Sequence, residues 1–257
     1  MSKASRTGRN RENARQRIAR QRAEEARRRK RRLWAAIGGG VVVVIAAAVG
    51  ITLAVTGGSS PPAATTEPLS ALGTLQPAPA AGPVGPEGVP IPSGAALAGP
   101  GTAASGQPID GISCSPGEKT LFHIHTHLTI FVNGQQRQVP AGIGIPNAVA
   151  QQTPAGPFVD SGTCFYWLHT HAADGIIHIE SPVQRTYTLG EFFDEWGQPL
   201  GPTQVGSAHG KVTVIVNGQV FKGNPRAVPL GSHENLQVEV GTPLVSPETI
   251  NWSSTGL

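Results

Sequence analysis

The chain predicts a mostly antiparallel β domain with one short helix, an α+β fold, tethered by a single transmembrane helix. Three observations predict it. Apolar and polar residues alternate with period two in several short runs between residues 121 and 240. Two Asn-Gly pairs, 133–134 and 217–218, connect such runs. One uncharged, proline-free apolar stretch, LWAAIGGGVVVVIAAAVGITLAV at residues 33–55, precedes them all.

Residues 1–32 carry 14 Lys/Arg against 3 Glu, whereas residues 33–257 carry 6 Lys/Arg against 13 Asp/Glu. The net charge of +4 therefore hides a basic tail joined to a mildly acidic remainder. At ~1.5 Å rise per residue the apolar run is long enough to cross a hydrocarbon core of ~30 Å, so residues 33–56 are expected to form the membrane helix. A cleaved signal peptide is the competing reading, but its apolar region is usually only ~7–15 residues. RRRKRR at 27–32 abuts the run, and no Lys or Arg recurs until Lys119. That asymmetry predicts a cytoplasmic N-terminus and an extracytoplasmic C-terminal part.

The tail is expected to meet anionic lipid, at ~1 kcal/mol per charge near the surface, rather than nucleic acid. No aromatic residue precedes Trp34, and no nucleic-acid module is present. Glu24 and Glu25 stand four residues before Arg28 and Arg29, which supports a short helix there. Residues 57–109 are rich in Pro, Gly, Ala, Ser and Thr, with two acids, no base and no aromatic. They are expected to be a disordered linker, ~40 Å across as a coil and up to ~160 Å when extended.

The folded domain is then expected over residues 110–257. HLTIFVNGQ at 127–135 and KVTVIVNGQ at 211–219 each read as a strand entering a type I′ turn. FYWLHTHA, GIIHIES, RTYTL and Gln237–Val240 supply further strands. Thr188 followed by Glu191 forms a capping box. The apolar face Leu189, Phe192, Phe193 and Trp196 follows, and Gly197 terminates the helix. Hairpin, helix and strands over residues 175–241 suggest a β-grasp-like C-terminal half. Cys114 and Cys164 are the only cysteines, and both follow the anchor. An oxidising compartment favours one disulfide between them, and a pair of metal thiolates is the alternative.

All eight histidines lie between residues 123 and 233. His123, His125 and His127 alternate in one run, His169 and His171 in a second, and His178 and Glu180 in a third. Alternate residues share one face of a strand. Between them stand Ile124, Leu128, Ile130, Tyr166, Leu168, Ile177 and Ile179, which are expected to face the core. A polar strand face without special role is the plain alternative. It leaves unexplained why three strands use histidine where Lys, Glu and Gln are commoner.

The chemistry these residue types suggest is metal binding by His123, His125, His127, His169, His171 and His178. Asp174, Glu180 or Glu234 would act as a further ligand or as an outer partner to an imidazole. Imidazole suits Zn(II) and Cu(II), and the sole methionine, Met1, argues against thioether capture of Cu(I). His209 and His233 fall on expected turns and are weaker candidates. Ordinary imidazoles near pKa ~6.5 would make metal affinity fall steeply between about pH 7.5 and about pH 5.5. HExxH, GxSxG, the Walker loop and the dinucleotide fingerprint are absent, so no nucleotide cofactor and no catalytic residue is assigned. A binding role is favoured over an enzymatic one. The second reading is a metal-free cell-envelope module that binds a protein or wall polymer through Tyr166, Trp167 and the hairpins.

HIHTHLTIFVNG, YWLHTHAADGIIHIES and YTLGEFFDEWGQPL, within residues 120–242, resemble a family of bacterial, mainly actinobacterial, membrane-anchored extracytoplasmic proteins. The resemblance implies an extracytoplasmic domain. It brings no established activity and no residue roles.

Overall fold

The computed structural model describes residues 65–101 and 103–257. The expected basic tail, the membrane helix at 33–56 and the start of the expected linker lie outside these residues. Among the described residues no helix is long and apolar enough to cross a membrane.

The strands in chain order are β1 (Thr65–Pro68), β2 (Phe122–Val132), β3 (Gln135–Arg137), β4 (Val149–Thr153), β5 (Gly156–Ser161), β6 (Leu168–His169), β7 (Ile176–Ser181) and β8 (Tyr187–Thr188). The helix α1 (Leu189–Trp196) follows. After it come β9 (Leu200–Gly201), β10 (Gln204–Val205), β11 (Ala208–His209), β12 (Val212–Val216), β13 (Gln219–Lys222), β14 (Pro229–Leu230) and β15 (Glu234–Val240). Among the described residues the fold is thus mostly antiparallel β with one short α-helix, as the alternation predicts.

One main sheet runs in the order β1-β13-β12-β15-β2-β7-β6. The long strand β2 organises it. Phe122–His127 pair antiparallel with β7, the last residues pair with β3, and the opposite edge pairs parallel with β15. Both Asn-Gly turns have the positive φ that type I′ geometry requires: 49° and 73° at Asn133-Gly134, and 48° and 77° at Asn217-Gly218. They close the β2–β3 and β12–β13 hairpins with two-residue loops.

The apolar positions between the histidines do face the core. Leu128, Ile130, Tyr166, Leu168, Ile177 and Ile179 pack in one cluster, with Ile124 against its edge. Phe192, Phe193 and Trp196 of α1 complete that cluster. The capping box is formed: the Thr188 side chain accepts from the Glu191 backbone N–H, and the Glu191 carboxylate accepts from the Thr188 N–H at 2.7 Å. Gly197 caps the C-terminus in the left-handed conformation. Cys114 and Cys164 form a disulfide with Cα atoms 5.5 Å apart, next to the bridge Ser115↔Phe165. The thiolate alternative is thereby removed.

The linker expected over 57–109 does not hold from Thr65 onward, and the domain does not begin at Asp110. β1 pairs with β13 at the sheet edge. Gln76 bridges to Val245, Ala96 bridges to Gln138, and Trp196 Nε1 donates to the Gly99 carbonyl at 2.7 Å. Val89 is buried. The reason lies in the composition itself. A Cβ on Gly94 would stand 1.8 Å from the Gln136 carbonyl oxygen, so only glycine lets this strap lie flat on the β3 hairpin. Proline brings no N–H that would need a partner. Beyond β1, a segment with no period can therefore cover a sheet without adding a strand to it.

Candidate metal centre

Strand register builds the site. β2 and β7 place His125 opposite His178 and His123 opposite Glu180. β6 and β7 place His169 opposite His178. Directly opposed residues in an antiparallel pair hold their Cβ atoms within ~4.5–5.5 Å, so three imidazoles form one row across three strands. His178 is the centre of that row. Its ring stacks on His169 with centroids 5.4 Å apart and meets His125 and His171 edge-on, each at 4.5 Å.

The loop at 142–145 backs β6. Thr170 N–H donates to the Ile143 carbonyl, and Tyr166 N–H donates to the Gly144 carbonyl at 2.9 Å. Gly144 has φ +71°, and a Cβ there would lie 2.3 Å from the Leu168 carbonyl. His171 leaves β6 towards β5, where its ring stacks on Phe158 at 4.8 Å.

Two backbone carbonyls decide the tautomers. His169 Nδ1 contacts the Tyr166 carbonyl at 2.8 Å, and His171 Nδ1 contacts the Val159 carbonyl. A carbonyl can only accept, so both Nδ1 atoms carry the hydrogen. In neutral rings both Nε2 atoms are then bare lone pairs, and they face each other at 3.1 Å. No N–H···N bond can join them. Burial and neighbouring imidazoles hold His169 well below its ordinary pKa, and burial with the His178 charge lowers His171. A tetrahedral ion with Zn–N bonds of ~2.05 Å holds its nitrogens roughly 3.4 Å apart, close to this spacing.

His178 Nε2 lies 2.6 Å from Glu87 Oε1, and its Nδ1 lies 3.4 Å from Glu180 Oε1. Burial alone would depress His178. Hydrogen bonding to Glu180 and Glu87, and their charges, outweigh it and push the ring up to about 9. His178 Nδ1 has no acceptor nearer than Glu180 Oε1 at 3.4 Å, and Glu87 Oε2 and Glu180 Oε2 are buried with no hydrogen-bond partner. Buried polar atoms are normally satisfied, and two of these, His178 Nδ1 and Glu180 Oε2, belong to side chains that could hold an ion. His169, His171, His178 and Glu180 offer ligand atoms that all lie within 4.8 Å of one another. His123, His125, His178 and Glu180 form a second such group. A cleft of about 970 Å³ opens beside them, bordered by Glu118, His123, His125, His171 and Glu180.

Three of the expected residues, His127, Asp174 and Glu234, lie outside both groups. His127 stands on the same strand face but outside both groups. It lies opposite Ile176, one step beyond the row, and its Nε2 donates to the Asp174 carbonyl at 3.0 Å. Burial pushes it down to about 4. Asp174 Oδ1 accepts from the Ile176 N–H, and its Oδ2 is buried without a hydrogen-bond partner. Burial and the nearby Glu87 charge push its carboxyl well up. Glu234 accepts from the Gly231 N–H at 3.0 Å and closes its own loop. His209 is exposed on β11, and His233 stacks on Trp252 at 4.7 Å on the cleft border.

Two carboxylates carry no mark in the sequence pattern. Glu87 comes from the strap expected to be a linker, and Glu118 Oε1 lies 3.6 Å from His171 Nε2. One signal points to Glu87: the strap's only acids are Glu67 and Glu87, and it has no base. Each finds its cation on the domain, Glu67 at Lys222 and Glu87 at His178. The surface role expected of Tyr166 also fails, because its ring is fully buried and its hydroxyl accepts from the Gly106 N–H.

No protein-family model matches the chain, and no curated protein or solved structure matches it.

Proposed function

We propose that the chain is a membrane-anchored extracytoplasmic protein whose β domain binds a divalent transition metal, Zn(II) or Cu(II). His169, His171, His178 and Glu180 are the ligands, and Glu87 is the outer partner that orients His178. The observation that carries this reading is the pair of bare Nε2 atoms held 3.1 Å apart by two backbone carbonyls. A donor set of three imidazoles and one carboxylate suits these borderline ions. The carboxylate–histidine contact at Glu87 is the usual outer support for such a ligand.

The anchor rests on residues 33–55 and the charge asymmetry around them. The sheet is read as β-grasp-like: β7, β2, β15 and β12 stand side by side with the parallel pair in the middle. The helix follows the second of these strands in sequence.

The test uses the full-length, tag-free protein in detergent, stripped with a chelator and titrated with Zn(II) and Cu(II). Binding tighter than about 10 μM, roughly −7 kcal/mol, is expected. The double variant His169→Gln, His171→Gln should lose it, and His209→Gln should not. Wild-type protein that binds neither ion at that level would put the metal-free envelope module in its place.

A further inference from the structure

Once His169, His171, His178 and Glu180 are assigned to one ion, two imidazoles remain beside them. We propose a second metal position, held by His123 and His125 and joined to the first through the Glu180 carboxylate, which makes the cluster a binuclear centre. This rests on the reading of the first site as metal-binding.

Four features carry it. First, His123 Nε2 and His125 Nε2 are 3.0 Å apart, the same convergence as in the His169–His171 pair. Second, one buried carboxylate faces both pairs. Glu180 Oε1 lies 3.1 Å from His123 Nε2 and 3.4 Å from His178 Nδ1, while Oε2 is buried without a partner. A carboxylate with two groups of imidazoles about it and one unsatisfied oxygen is arranged to give an oxygen to each of two ions.

Third, the donors are too many for one ion. Five imidazoles and a carboxylate exceed the four ligands of a closed tetrahedral site. Their ligand atoms separate into two groups that share only His178 and Glu180. Fourth, the charge comes within one unit of balance. Glu87, Glu118 and Glu180 bring three carboxylates to offset two divalent cations. Ions sharing one carboxylate would lie about 3.5–4 Å apart, as in known two-metal sites.

The two positions differ in access. His169 is fully buried, whereas the His123 side chain is 38% exposed at the cleft. The inner position is therefore the more enclosed of the two, and the outer one faces solvent with coordination positions to spare.

The experiment is a Cu(II) titration of the stripped full-length protein, followed by metal analysis and electron paramagnetic resonance. Two equivalents per chain are expected. The first gives an ordinary mononuclear spectrum. The second fails to double the intensity and brings a half-field transition, because the spins are coupled through the bridge. His123→Gln, His125→Gln should hold one equivalent with full mononuclear intensity. If that double variant fails to melt cooperatively in chelator, His123→Gln alone carries the test, since its ring is at the exposed edge. It should lose the half-field signal.

Wild-type protein that binds one equivalent, with the variants unchanged, overturns the second position and leaves the first standing. Two equivalents with simply additive spectra overturn the bridge. No binding at all removes the first site and this inference with it.

Discussion

Replacing Glu87 by Gln separates a strap that merely covers the sheet from one that serves the site. Glu87 Oε1 meets His178 Nε2 at 2.6 Å, and both side chains are buried. In the proposed metal-loaded form the carboxylate would hold the ring so that Nδ1 faces the ion. Losing such an outer partner costs ~10–100-fold in metal affinity, or about 1.4–2.7 kcal/mol. In the stripped protein Glu87 instead pairs with protonated His178. Truncating one partner of a buried pair costs ~3–5 kcal/mol, and Gln retains an acceptor, so about 2 kcal/mol is expected. For a domain of this size that lowers Tm by roughly 4–8 °C.

Glu67→Gln is the matched control. It removes the other acid of the same strap, but its partner Lys222 is 3.2 Å away with both side chains about half exposed. Exposed pairs contribute only ~0–1 kcal/mol, so metal affinity should not change and Tm should barely move. Competition against a chromophoric chelator measures the affinity, and calorimetry with and without chelator measures the Tm. If Glu87→Gln binds metal within about threefold of wild type, the assignment of Glu87 as an outer partner fails.

Two further outcomes concern protons. Burial lowers His169 and His171, and carboxylates push His178 up to about 9, so His178 is the ring that must lose a proton to bind metal at neutral pH. For a metal-binding site, affinity should then fall from pH 7.5 to 5.5 by less than the about 1,000-fold that three ordinary imidazoles would give, towards the about 100-fold of a single proton, and the measured slope decides. Glu195 in α1 is fully buried with both carboxyl oxygens unpartnered, and burial, then Glu191 and Asp110, push it well up. It is protonated when folded but ionises in the unfolded chain, so its contribution to stability is full below the ordinary carboxyl range. That contribution is lost as pH rises towards the folded value, at roughly 1.4 kcal/mol per unit. Urea denaturation of Glu195→Gln at pH 5 and pH 8 should show a flatter profile than wild type, and parallel profiles would refute this.

Local chemistry makes much of the protein legible from the order of its residues. Alternation alone places His123 with His125, His169 with His171 and His178 with Glu180, because successive strand side chains point to opposite faces. Asn-Gly sets both hairpins, Thr188 and Glu191 set the helix start, and two cysteines that follow an expected membrane anchor suggest their own pairing. These features depend on residues close in sequence or on a residue type with one common use.

Strand order is different, because it depends on which distant strands bury each other's apolar faces. Only the tertiary structure inserts β7 between β2 and β6 and so makes His178 the hub. Register then excludes His127, which shares the face but sits one pair too far along the strand. Only tertiary contact lays the proline- and glycine-rich strap on the sheet and brings Glu87 within 2.6 Å of His178, 91 residues away. A segment without periodicity reveals nothing of its partners, since its conformation is dictated by the surface it covers. The histidines and their shared faces were determined by the sequence. Their convergence, their tautomers and the carboxylates that complete the site were decided by packing between elements far apart in the chain.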